Sequence, residues 1–351
     1  MMVTENKMSK NFIDRKYTNI LYGIALVLMF SHHFFTFPTW YQEGISYPNL
    51  TLFAKYMNAP LSICVPMFCF LSGYFYYFNK EKTYRYAFKK ISNIWISYLL
   101  CFFLLYIVSI ATGSINFSFT NFLLECFLLK NSNMTFCWYV SFYILMMLIL
   151  PLYSRLSDKS SFLALAAALF FSYMMIVAAD RSDTMSNVIL KTAYNNLCNL
   201  KYFACVAMGY LFAQRELFKE LDQYIYIRHS AIRIIVYFLF CLFPFLFRYL
   251  TTYLDFIGTP LFLFGLVKLI DMFYRRKLFF PLSEIGKYTL YMWFVHCAFF
   301  NVSAKYTQPI LYSPRNPILV LIWGLLLCYF PSIIIRKVIC LSVDRKNNES
   351  I

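Results

Sequence analysis

Residues 17–33 read Tyr17-Thr18-Asn19-Ile20-Leu21-Tyr22-Gly23-Ile24-Ala25-Leu26-Val27-Leu28-Met29-Phe30-Ser31-His32-His33. The run is apolar and continues to about residue 37, which meets the roughly 20 mostly apolar residues that a spanning helix needs. The stretch before it is polar and basic (Lys7, Lys10, Arg15, Lys16), and no small-residue cleavage site follows the run. It is therefore expected to be a retained helix, not a removed leader. A helix turns by about 100° per residue, so Tyr22 and His33 share one face, about 16 Å apart along the axis, while His32 points about 80° away. Ionisable groups are expensive in hydrocarbon and are functional candidates there. A neutral imidazole is a good general base near neutral pH. The competing reading is a His33 that only hydrogen-bonds a neighbouring helix.

Outward from this helix the same pattern repeats. Further apolar stretches lie near residues 60–78, 91–112, 137–153, 161–179, 200–214, 232–249, 255–274, 285–302 and 317–335. The segment 117–129 is too short to span and reads as interfacial or re-entrant. Of the 351 residues, 61% are hydrophobic and 14% charged, against roughly 45–50% and 25% in soluble domains. The expected fold is an all-α integral membrane bundle of about ten transmembrane helices. The net charge of +16 would suggest nucleic acid in a soluble chain. Here the basic residues cluster in alternate connections, such as Lys80, Lys82, Arg85, Lys89 and Lys90, or Arg275, Arg276 and Lys277. That is a topology signal with both termini cytoplasmic, and no nucleic-acid partner is expected. Segments 1–16 and 336–351 then flank a membrane domain at 17–335.

Few other groups invite chemistry. Lys268 and Asp271, three apart on one helix, are expected to neutralise each other. His296 sits in the outer part of the ninth stretch, where interfacial water could reach it. The 11 cysteines contain no CxxC pair and read as packing residues, so no metal site is expected. Trp138 and Trp293 read equally as interface or packing aromatics. Ser72-Gly73 reads as a point of close helix approach.

Taken in order, these segments resemble bacterial acyltransferase family 3, integral membrane proteins that move an acyl group from acyl-CoA to glycans. The family's first helix typically reads Leu-Arg-Gly-Ile-Ala, with a histidine eleven residues after the arginine. Leu21-Tyr22-Gly23-Ile24-Ala25 occupies that frame, and His33 falls on the histidine. Val65-Pro66-Met67-Phe68-Cys69-Phe70-Leu71-Ser72-Gly73 is similar to its Phe-rich run ending in Ser-Gly. Cys137-Trp138-Tyr139 and Leu150-Pro151-Leu152 resemble its fourth helix, and Thr289-Leu290-Tyr291-Met292-Trp293-Phe294-Val295-His296 resembles its ninth. The chain departs from the pattern at Tyr22, where the family has arginine, and at Lys90 and Asn93, where it has an arginine pair.

The resemblance implies a membrane O-acyltransferase, expected to be an O-acetyltransferase of the cell membrane. Acetyl-CoA would be a co-substrate, no cofactor would be tightly bound, and the acceptor would be a surface or lipid-linked glycan. His33 would be the general base. Lys89 and Lys90 would attract the donor phosphates, with Tyr22 along the donor path. His32, Trp138 and His296 are candidates for the site lining. Lysine grips phosphate as a point charge, less specifically than the planar arginine fork, so an inactive relative stays open as a reading. A glycan or lipid transporter is the other alternative. Only 9 glycines and no visible repeat weigh against the broken-helix inverted repeats of many transporters.

Overall fold

The computed structural model describes residues 12–42, 44–45, 50–130, 133–225 and 229–348. They form sixteen α-helices, and no strand occurs among the described residues. In chain order these are α1 (Arg15–Phe35), α2 (Leu50–Leu61), α3 (Cys64–Tyr77), α4 (Tyr84–Ala111), α5 (Phe119–Cys126), α6 (Trp138–Lys159), α7 (Ser161–Ala179) and α8 (Val188–Cys198). There follow α9 (Phe203–Gln214), α10 (Leu217–Tyr224), α11 (Ser230–Phe247), α12 (Asp255–Phe273), α13 (Arg276–Gly286), α14 (Thr289–His296), α15 (Ala304–Leu311) and α16 (Pro317–Asn348). Among the described residues, eight helical stretches are long and apolar enough to cross a membrane, with α2 and α3 forming one of them. Their outward faces carry exposed side chains such as Phe162, Phe170, Phe243 and Ile318. In water these would be sticky patches; against lipid tails they are solvated.

Caps set several boundaries that hydropathy does not. Asp14 accepts hydrogen bonds from the backbone N–H of Lys16 and Tyr17 at 2.8 and 3.3 Å, so α1 begins at Arg15, just before the apolar run. Thr83 caps α4 in the same way through Tyr86 N–H, which draws that helix back from residue 91 to Tyr84. Such caps satisfy amides that the first turn leaves without partners. Helix α5 falls within 117–129 and has 8 residues, too few to span.

Two of the expected ten spans differ from the sequence reading. The sixth, expected at 200–214, is the 12-residue α9, entered through a 3-10 turn at Asn199–Tyr202. The ninth, expected as one helix over 285–302, is broken. Helix α13 ends at Gly286, the hydroxyl of Thr289 donates to the Gly286 carbonyl at 3.0 Å, and α14 restarts at Thr289 for 8 residues before a 3-10 turn at Cys297–Phe299. The Thr289 hydroxyl satisfies a carbonyl that the terminated helix leaves open.

Two helix crossings are made by reciprocal glycines. A Cβ on Gly73 of α3 would lie 1.9 Å from the Val206 carbonyl oxygen, and one on Gly209 of α9 would lie 2.0 Å from that of Phe70. Gly23 of α1 and Gly286 of α13 have the same relation, at 2.1 Å from Leu282 O and 1.9 Å from Asn19 O. Small residues let helix backbones touch where lipid supplies no hydrophobic drive. Backbone cannot swing aside as a side chain can, so Gly209→Val should destabilise by about 1–3 kcal/mol or more. Thermal melting in nanodiscs checks this; an unchanged midpoint would contradict the crossing.

Several ionisable groups find partners on other helices. Lys268 and Asp271 do not pair with each other. Lys268 reaches Asp222 at 2.6 Å, and Asp271 takes the Tyr17 hydroxyl at 2.5 Å and Lys16 at 3.7 Å. Neighbouring helix ends offered closer partners than the same-face spacing did. Arg248 and Asp255 form a buried bidentate pair. Glu125 is also buried, held by the backbone and side-chain N–H groups of Asn133 at 3.1 Å.

Candidate active site

Helices α1, α3, α4, α6 and α14, with the end of α13 and Ile339 of α16, line a cavity of about 580 Å³, a volume typical of small-molecule sites. Tyr22, Met29 and His33 all line it from α1, as their spacing on one helical face requires. Its basic end is bordered by Lys90 and Asn93, near the start of α4, and by Lys287 at the break between α13 and α14. Its other end holds His33 and Phe136, with Trp138 and Trp293 on the walls. Tyr22 packs against Phe68, ring centroids 5.9 Å apart.

His33 is held on two sides. The Phe136 ring stacks on it with centroids 3.7 Å apart and planes within 8°. Its Nδ1 lies 2.8 Å from Nε2 of His296. On the far side, Nδ1 of His296 bonds the Trp293 carbonyl. A carbonyl only accepts, so His296 carries its proton on Nδ1. In the neutral ring its Nε2 is then an acceptor, and the proton between the two rings belongs to His33 Nδ1. The lone pair of His33 is thereby assigned to Nε2. That atom has no hydrogen-bond partner among the described residues and is not among the buried unpartnered atoms. A ring fixed in tautomer and orientation, with a free basic nitrogen beside a cavity, is what general-base catalysis requires.

The remaining candidates separate. Trp138 and Lys90 line the cavity together with Tyr22 and His33. Lys90 has its ammonium 5.4 Å from the centroid of the Tyr86 ring. Lys89 is exposed and does not line the cavity. His32 turns away, and its Nε2 donates to Asn58 Oδ1 of α2 at 2.7 Å. His296 is fully buried, neither at interfacial water nor on the cavity wall; its place is behind His33. Lys287, Phe136 and Tyr139 also line the cavity and were missed. Phe136 directly precedes the Cys137-Trp138 motif, but nothing in the sequence marks it as a partner of His33.

Removing the acceptor behind His33 should free its ring and tautomer. His296→Ala is expected to lower turnover on the order of tenfold to a hundredfold, the worth of one buried hydrogen bond. His296→Gln, whose side-chain oxygen can accept from His33 Nδ1, should recover part of that loss. Equal rates for the two variants would show that His296 only fills space.

A family model described as an acyltransferase domain matches residues 15–337. No curated protein and no solved structure matches the chain.

Proposed function

The chain belongs to the membrane acyltransferase family 3, and from that premise we propose that it moves an acyl group, acetyl in the first instance, from acyl-CoA to a hydroxyl of a cell-surface or lipid-linked glycan. The protein is a multi-pass membrane acyltransferase. The observation that carries the finer reading is the single cavity that joins a lysine-bordered end to His33, whose Nε2 is free.

In this reading Lys90 attracts the donor's phosphates at the basic end, with Lys89 adding to the field from outside the cavity. The pantetheine arm runs past Tyr22 and brings the thioester to His33. Nε2 of His33 takes the proton of the acceptor hydroxyl as its oxygen attacks the thioester carbonyl. The tetrahedral intermediate collapses, the carbon–sulfur bond breaks, and the CoA thiolate takes the proton from His33. The products are the glycan ester and free CoA. While His33 holds the extra proton, His296 Nε2 accepts from its Nδ1, and the Trp293 carbonyl keeps His296 in the accepting tautomer. The pair thus stabilises the cation without itself changing protonation.

The test is turnover of acetyl-CoA by the full chain in lipid nanodiscs, with a purified glycan-lipid fraction as acceptor. CoA release that rises with acceptor supports the reading. If acetyl-CoA neither binds nor turns over, the donor assignment is wrong.

A further inference from the structure

The cavity wall is not all interior. Ile96 of α4 lines the cavity and is 44% exposed. Leu290 of α14 and Ile339 of α16 line it while only half-buried, and Asn93 and Lys287 border the same stretch from exposed positions. Side chains that face both a cavity and the outside of a spanning bundle mark an opening in its side. The short α14 accounts for it. Its 8 residues rise about 12 Å, well under the roughly 30 Å hydrocarbon thickness. It packs against α4 and α16, and the helix is broken at Lys287–Tyr288, so α14 covers only part of the wall between those two long helices.

We propose that this slot admits one substrate sideways from the bilayer, as an amphiphile with an apolar chain and a phosphate-bearing headgroup. The chain would lie along Ile96, Leu290 and Ile339, and the headgroup would meet Lys287. A soluble substrate would not need an apolar lip facing lipid. A bare hydrocarbon would not need a cation there. Lys287 pairs with Glu284 at 2.5 Å through one of its three donors and is exposed at the cavity border, so donors are left for a headgroup. Ile96 lies six residues beyond Lys90, about 9 Å deeper along α4, so the apolar part of the slot lies deeper than the Lys90 border, while the headgroup at Lys287 shares the basic end of the cavity with the donor. The inference rests on the reading of the cavity as the acyl-transfer site and deepens it: the acceptor arrives as a lipid-linked molecule, not as free polymer.

The test uses the full chain in nanodiscs with trace phosphatidylglycerol carrying a photoreactive diazirine in its acyl chain, and a phosphatidylcholine counterpart. After irradiation the labelled residues are mapped by mass spectrometry. The expected result is label on cavity residues that lipid cannot touch from outside, such as Tyr22 and Tyr139. It should be about fivefold stronger for the anionic probe, the worth of one interfacial lysine, and that preference should vanish in Lys287→Gln. Label confined to outward residues such as Ile107 and Phe330 overturns the slot, and equal interior labelling by both probes overturns the headgroup assignment. Acetyl-CoA hydrolysis by the same nanodiscs is read separately. Interior label without hydrolysis keeps the slot and removes the acyl-transfer reading.

Discussion

His33→Ala is expected to abolish most acyl transfer, by about 10²–10⁴-fold, the usual contribution of a positioned general base. The loss should fall on the rate of the chemical step and leave donor affinity nearly unchanged. His33 lies at the far end of the cavity from Lys90, about 16 Å along α1 from Tyr22, and touches no part of the expected phosphate site. Stability should fall by about 1–3 kcal/mol, because a ring stacked on Phe136 is removed and the buried His296 Nε2 loses its donor. His296 keeps the Trp293 carbonyl. Donor binding and initial rates, measured on folded protein well below its melting temperature, decide the matter. Full activity in His33→Ala would remove the proposed mechanism, and a rise in the Michaelis constant alone would recast His33 as a binding residue.

The second large effect concerns stability. Arg248→Met should cost about 3–5 kcal/mol, the usual penalty for leaving one member of a buried ion pair uncompensated. The side chains of Arg248 and Asp255 are 5% and 6% exposed. The guanidinium grips both carboxylate oxygens, at 2.7 and 3.1 Å. Its remaining nitrogen donates to the Ala59 carbonyl at 2.7 Å and to Ser62 Oγ at 3.0 Å. One side chain thus ties the end of α11 to the start of α12 and to the turn between α2 and α3. The mechanism makes a further demand. Replacing both charges, in Arg248→Met with Asp255→Leu, should recover much of the loss, because no charge is then left buried. Should the single and double variants melt together, the tie to Ala59 and Ser62, not the unpaired charge, is what matters.

The sequence made the spanning stretches legible because hydropathy over about 20 residues is a local property of the chain. It failed at α9 and at the α13–α14 break for a stated reason. Both segments are apolar, but the end of α13 falls where Gly286 meets Asn19 of α1, and α9 packs through its middle, where Gly209 meets Phe70 of α3. Lys268 and Asp271 show the same limit, since same-face spacing predicts a pair only when no closer partner arrives from elsewhere.

The site divides along the same line. That Tyr22 and His33 share a face follows from helical periodicity alone, and so does the turning away of His32. Periodicity says nothing about what stands opposite. His33 and His296 are 263 residues apart, and Phe136 comes from the entry to a third helix. Each looked like a lone polar or aromatic residue in an apolar run. The sequence alone determined an all-helical membrane protein of this family with an imidazole on the inner face of its first helix. Only the tertiary structure decided that a second imidazole is hydrogen-bonded to the first and that Ile96 lines the cavity from an exposed position. Hydrogen-bond partners and gaps between helices are relations among distant segments, and a local pattern does not encode them.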